Sequence, residues 1–346
     1  MAAYTTIDDP GLYFNTIIWT GASNTANRAF TGVGFQPDAV WNTIRDDVYH
    51  NNIFDSVRGA GADKELITDT NALEGGGDAS EFGYLSAFDA DGFSTTAGTG
   101  TGSGIRNLEY NQSGNTFVAW CWKESATSGF DIVTATGNAT NKTISHSLSA
   151  VPHVMISKEK TGSVNDWTVY HHKLTSAPET DSIILNETNA TADQNTHWND
   201  TAPTSSVFTV GTGSVVNRTD STYVYYLFSE KQGYSKFGGY TGNGNADGEF
   251  IYLGFRPAFF LCKNYQDAGD DWILHDNKRD PHNVTDAGWA PNSSAVEFTD
   301  VDMDFLSNGV KMRNNTGRAN SAKTFIYMAF AESPFVNSNG VPTNAR

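Results

Sequence analysis

The chain reads as all-β, three antiparallel β-sandwiches in tandem, and three observations carry that reading. Gly, Asn, Thr and Ser are abundant, Leu-rich and Lys/Glu-rich helical stretches are missing, and 12% of the residues are aromatic. Such a balance belongs to sheets joined by many turns. A short aromatic strand then occurs three times: Thr116-Phe-Val-Ala-Trp-Cys-Trp-Lys-Glu124, Thr222-Tyr-Val-Tyr-Tyr-Leu-Phe-Ser-Glu230 and Thr324-Phe-Ile-Tyr-Met-Ala-Phe-Ala-Glu332. Finally, other landmarks recur in the same order ahead of each copy.

The aromatic strand is apolar on both alternating faces, with Phe117, Ala119 and Cys121 on one and Val118, Trp120 and Trp122 on the other. A strand covered on one side only would alternate polar with apolar, so this one is expected to be covered on both. Ahead of it comes a Thr-Gly pair (Thr20-Gly21, Thr136-Gly137, Thr241-Gly242), followed after 16, 15 and 15 residues by Pro37, Pro152 and Pro257. Each proline opens an apolar run, where a missing N–H costs no ladder hydrogen bond. A second strand with a polar finish places Asp55, His171 and Asp276 at 18, 19 and 19 residues from those prolines. The outer copies then carry Phe88-Asp-Ala-Asp-Gly92 and Phe305-Leu-Ser-Asn-Gly309, strong hairpin signals because Asp-Gly and Asn-Gly tolerate positive φ. The middle copy offers Phe208-Thr-Val-Gly-Thr-Gly213 as a looser turn.

These spacings divide the chain into an N-terminal arm (1–11), repeats at 12–125, 128–231 and 234–335, and a C-terminal tail (336–346). Each repeat has the size of a small independent domain. A two-layer sandwich of jelly-roll or concanavalin-like topology is the expected form.

The net charge of −17 is spread along the chain, which argues against a nucleic-acid partner, since a phosphate backbone requires clustered Lys and Arg. The two cysteines, Cys121 and Cys262, lie in apolar runs and read as buried hydrophobes. The N-terminus lacks the pattern of a secretory signal, and no run has the length of a transmembrane helix, so no membrane insertion is expected. Asn-x-Ser/Thr sequons are frequent and read as turn chemistry.

Motifs for catalysis are missing: there is no GxSxG, HExxH or Gly-rich loop entering a helix. Asp89-Ala-Asp91-Gly92 resembles the start of a calcium loop, but Gly100 stands where the closing Glu is required. Asp300, Asp302 and Asp304 would share one solvated strand face. His171 and His172 point to opposite faces and His275 has no counterpart in the first copy, so neither a metal nor a cofactor is expected. Asp55 with Arg58, and Asp276 with Arg279, read as local charge pairs. The candidate ligand residues are loop aromatics and amides of the kind that bind sugars: Trp198 with Asn195 and Asn199, and Trp289 with Asn283 and Asn292.

Several stretches are familiar together: Tyr4-Thr-Thr-Ile-Asp-Asp-Pro10, Phe54-Asp-Ser-Val-Arg-Gly59, Phe88-Asp-Ala-Asp-Gly-Phe93, Phe117-Val-Ala-Trp-Cys-Trp122, Tyr240-Thr-Gly-Asn-Gly244, Gly254-Phe-Arg-Pro257, Asp276-Asn-Lys-Arg-Asp280, Phe305-Leu-Ser-Asn-Gly309, Phe325-Ile-Tyr-Met-Ala-Phe-Ala-Glu332 and Asn344-Ala-Arg346. They resemble a family of repeat-bearing, tail-fibre-like structural proteins of marine bacteriophages. The middle repeat departs most, with Leu174 where the others have Arg58 and Arg279. The resemblance implies a non-enzymatic virion protein, assembled in the host cytoplasm with other virion proteins. As a fibre it would be a homo-oligomer, usually a trimer, contacting a host-surface glycan through multivalent weak sites. A capsid decoration or head-knob protein is the alternative, and a surface-polysaccharide depolymerase the third reading.

Overall fold

The structure, a computed structural model, describes residues 4–101 and 104–343. Met1–Ala3 and the family-like Asn344–Arg346 lie outside the described residues. The first repeat contributes β1 (Phe14–Thr20), β2 (Arg28–Thr31), β3 (Ala39–Ile44), β4 (Asn52–Asp55), β5 (Leu66–Ile67), β6 (Tyr84–Asp89), β7 (Gly92–Thr96) and β8 (Thr116–Trp122). They form a large sheet, β1-β8-β3-β4-β5, and a small one, β2-β7-β6.

The second repeat contributes β9 (Phe130–Thr136), β10 (Lys142–Ser145), β11 (Val154–Glu159), β12 (Thr168–His171), β13 (Asp181–Ile184), β14 (Ala192–Asp193), β15 (Val207–Val210) and β16 (Thr222–Phe228). Its sheets run β14-β13-β12-β11-β16-β9 and β10-β15. The third contributes β17 (Ser235–Thr241), β18 (Phe250–Tyr252), β19 (Phe255–Asn264), β20 (Ile273–Asp276), β21 (Met303–Leu306), β22 (Gly309–Met312) and β23 (Thr324–Pro334), in sheets β17-β23-β19-β20 and β18-β22-β21.

In every repeat the aromatic strand lies between the first strand and the proline-led strand. Ala39 pairs with Trp122, Val154 with Phe228 and Phe259 with Phe330, so the three prolines, each two residues earlier, hold equivalent places. The middle turn is a correction. Phe208 lies inside β15 and pairs with Ile144, as Phe93 pairs with Phe30, so it belongs to the strand after the hairpin. With no Asp-Gly or Asn-Gly to reverse the chain, the second repeat carries no strand equivalent to β6 or β21 among the described residues.

Both faces of the aromatic strands are covered, and by different partners. Ala119 and Cys121, Tyr223, Tyr225 and Leu227, and Tyr327 and Ala329 fill three separate sandwich interiors. The opposite faces meet one another in a single shared core containing Trp120 and Trp122, Tyr226 and Phe228, and Met328 and Phe330. At its middle, the Phe330 ring lies 5.9 Å from Trp122 and 6.0 Å from Phe228, the two equivalent residues. An apolar void of about 40 Å³ remains there, lined from all three repeats. The repeats therefore share one core, because one apolar face of each large sheet is buried chiefly by the other two.

Equivalent hydrogen bonds close the three sandwiches into a ring of approximate threefold symmetry. Trp167 Nε1 donates to Ile67 O from the second repeat to the first at 2.9 Å, and Trp272 Nε1 to Ile184 O from the third to the second at 2.9 Å. Asn51, at the equivalent position, donates from the first repeat to Ser293 O of the third at 2.8 Å. The N-terminal arm is part of this assembly: Ile7 enters the shared core and the Tyr4 hydroxyl donates to Gly254 O at 2.7 Å.

Candidate functional site

Three polar seams follow from the ring, and they hold the charge pairs read from the sequence. In the first repeat Arg58 binds Asp55 and Glu74, all largely buried, and the Tyr226 hydroxyl of the second repeat donates to Asp55 Oδ2 at 2.7 Å. In the third, Arg279 binds Asp276 and Glu297, and Trp120 Nε1 of the first repeat donates to Asp276 Oδ2 at 3.0 Å. In the seam between the second and third repeats the same places are held by His171, Leu174 and Thr191, facing Met328. His171 Nε2 donates to Tyr327 O at 3.1 Å, and Lys173 N–H donates to its Nδ1, which fixes a neutral tautomer. His275 lies in the place of Phe54, wholly buried, and burial pushes its pKa down to about 3. The seam groups hold the ring together, whereas His275 lies in the interior of the third sandwich.

The sugar-site residues expected in the loops are not brought together. Trp198 is fully buried against Tyr170 in the second sandwich, and Trp289 fully buried between Trp41 and Trp120, with ring centroids 5.4 and 4.8 Å away. Each large apolar ring gains more from an interior, that of the second sandwich for Trp198 and the shared core for Trp289, than from a wet loop, so neither is a stacking platform. Asn292 Oδ1 accepts from Trp272 N, and Asn283 exchanges hydrogen bonds with the Phe305 backbone, so both amides serve as strand clamps. Asn199 closes a turn at φ 56° and Asn195 is exposed nearby. Of the three carboxylates expected on a solvated face, Asp304 is buried and pairs with Arg313, whereas Asp300, which pairs with Arg318, is exposed as expected.

A large open concavity lies elsewhere, a groove of about 710 Å³ along the third repeat. It runs between β17 and β18, the edges of its two sheets, with His172 and Lys173 of the second repeat at one end. Gly238-Gly239 makes the room. The equivalent position of Gly238 in the other first strands carries Ile17 and Val133, and a Cβ on Gly238 would fall 2.5 Å from the Tyr327 hydroxyl. Phe250 and Tyr252 stand on the rim at 39% and 51% exposure. Lys236 Nζ donates to Tyr252 O at 2.6 Å and lies 5.2 Å from the Tyr252 ring centroid, while Glu230 and Glu249 complete the polar lining. A glycine pair inside a strand pattern can mark close approach by another group, a local cue that the motif reading passed over. Apart from the groove, Glu65, Asp78 and Glu109 form a group of carboxylates close enough to share an ion.

No curated protein and no solved structure matches the chain. One family profile does, spanning all three repeats in a single block from residue 9 to residue 334. The chain therefore belongs to the family described as domain of unknown function DUF7483.

Proposed function

We propose that the protein is a non-enzymatic bacteriophage virion component, a tail fibre or appendage, that contacts host-surface glycan through the groove of its third repeat. The observation that carries this reading is the pairing of exposed aromatic faces, Phe250 and Tyr252, with Lys236, Glu230 and Glu249 in one open channel. Sugars present apolar faces edged by hydroxyls, and such a channel offers stacking surface and directed polar partners together. The family-like stretches spread along the chain support the virion setting.

Glycan arrays and binding to host envelopes test the proposal. Tyr252→Ala is expected to weaken binding about tenfold with little change in thermal stability, because the ring is on the rim and not in a core. No binding of the intact protein to host envelopes at high concentration would overturn it. Release of reducing ends from host polysaccharide would move the reading to a depolymerase. A capsid-decoration role is the second reading, favoured by a threefold ring complete within one chain, which suits a knob on a threefold lattice point. Cryo-EM of virions separates the two by where the density lies.

A further inference from the structure

We propose that the first repeat holds one calcium ion among Glu65, Asp78 and Glu109. One carboxylate oxygen from each lies within 4.8 Å of the others, and Glu65 and Glu109 are only 1% and 2% exposed. No Lys or Arg pairs with any of the three among the described residues; His50, the chargeable neighbour, is bonded to Asp69. Both Glu65 oxygens, Glu109 Oε1 and Asp78 Oδ1 lack a well-aligned hydrogen-bond donor. A second observation points the same way. Asn52, wholly buried, donates from Nδ2 to Glu109 Oε2 at 2.6 Å, which leaves its own Oδ1 in this corner without a partner. The Tyr49 hydroxyl lies beside Asp78 and likewise lacks a well-aligned partner. Buried polar atoms are normally satisfied, so a corner of orphaned oxygens marks a missing partner. An all-oxygen, carboxylate-rich set suits a hard cation, and three carboxylates with an amide oxygen beside them suit calcium, which takes many protein oxygens, better than magnesium, which keeps most of its waters.

The sister repeats show that packing does not require these acids. Where the first repeat has Glu65, strand pairing places Ser182 and Gly288, and where it has Glu109 the chain has Val215 and Arg318. Ser182 is satisfied by His197 Nδ1 at 2.9 Å. Gly288 is covered by the Phe298 ring, with the Arg318 guanidinium 4.3 Å above that ring. An entry path exists as well: Asp78, Gly76, Gly77 and His50 line an open cavity of about 390 Å³. A Cβ on Gly77 would lie 2.1 Å from Glu65 Oε2, so glycine lets the loop close over the carboxylate.

The full chain, stripped with chelator, is titrated with calcium chloride by calorimetry and followed by thermal melting, with terbium luminescence as a second readout. One ion per chain, a rise of several degrees in the melting midpoint and tyrosine-sensitised terbium emission are expected. Glu65→Gln/Glu109→Gln is expected to fold and to lose the calcium response; Glu109→Gln alone, by terbium emission, serves should the double variant not fold. The proposal is overturned if the wild-type chain neither binds calcium nor sensitises terbium, if the variants respond as the wild type does, or if magnesium binds as tightly.

Discussion

Two seams of the ring are charged and one is neutral, although all three are built from the same positions. Between the first and second repeats, and between the third and first, a buried Arg is held by an Asp and a Glu, and the neighbouring repeat supplies a donor to that Asp. Between the second and third, Met328 stands where Tyr226 and Trp120 do and has no proton to donate. An Asp there would lack its cross-seam partner, and the Asp, Arg and Glu are all replaced, by His171, Leu174 and Thr191. The Lys160 or Arg45 that approaches the Glu in a charged seam becomes Tyr265 in the neutral one, yet the backbone bond at that place persists in all three, to Glu74, Glu297 and Thr191. A buried ion network is stable only when complete, so its members exchange together.

Breaking one charged seam should give the largest effect. Arg279→Leu leaves Asp276 buried without its cation and is expected to cost about 3–5 kcal/mol by urea denaturation. Installing the neutral set together, Asp276→His with Arg279→Leu, Glu297→Thr and Trp120→Met, should recover a substantial part of that loss. If the set costs as much as the single change, the account of the seams is wrong. A smaller effect is expected of Tyr226→Phe, which removes the cross-seam donor to Asp55 and a long contact from Arg58 Nη2, about 1.5–3 kcal/mol for a bond to a charged group. Leu227→Ile, one residue along and facing the sandwich interior, is the control for packing alone.

The neutral seam should show itself through pH. Burial, with His172, His153 and Lys173 nearby, pushes the pKa of His171 down to about 3. The unfolded chain therefore takes up this proton first. The stability due to neutral His171 is fully present above an unfolded pKa of about 6.5 and is lost as pH falls below it, by up to about 1.4 kcal/mol per pH unit. Denaturation of His171→Gln from pH 7 to pH 5 should show a shallower acid slope than the wild type. An unchanged slope would show that His171 is already charged in the folded state.

Much of this architecture was legible because it is repeated. The register of Pro37, Pro152 and Pro257 could be read as spacing, and the doubly apolar aromatic strands announced two coverings. The Asp55–Arg58 and Asp276–Arg279 pairs were legible for the same reason, since three residues along a strand-end turn is a local relation. The identity of the second covering was not legible. An apolar face in a sequence does not say whether a helix, a loop or a sister sheet will lie on it.

The expected sugar site failed at Trp198 and Trp289 on the same ground. A Trp flanked by Asn looks alike whether the loop carries it to solvent or folds it into a core, and its large apolar area favours the core. The groove beside Gly238-Gly239 and the corner of Glu65, Asp78 and Glu109 join residues from separate segments, where spacing carries no signal. Sequence alone determined strand composition, period and repeat register, because these depend on neighbours along the chain. Only the tertiary structure decided which faces meet, which carboxylates are left unpaired and where solvent enters, because those depend on three sheets closing on one another.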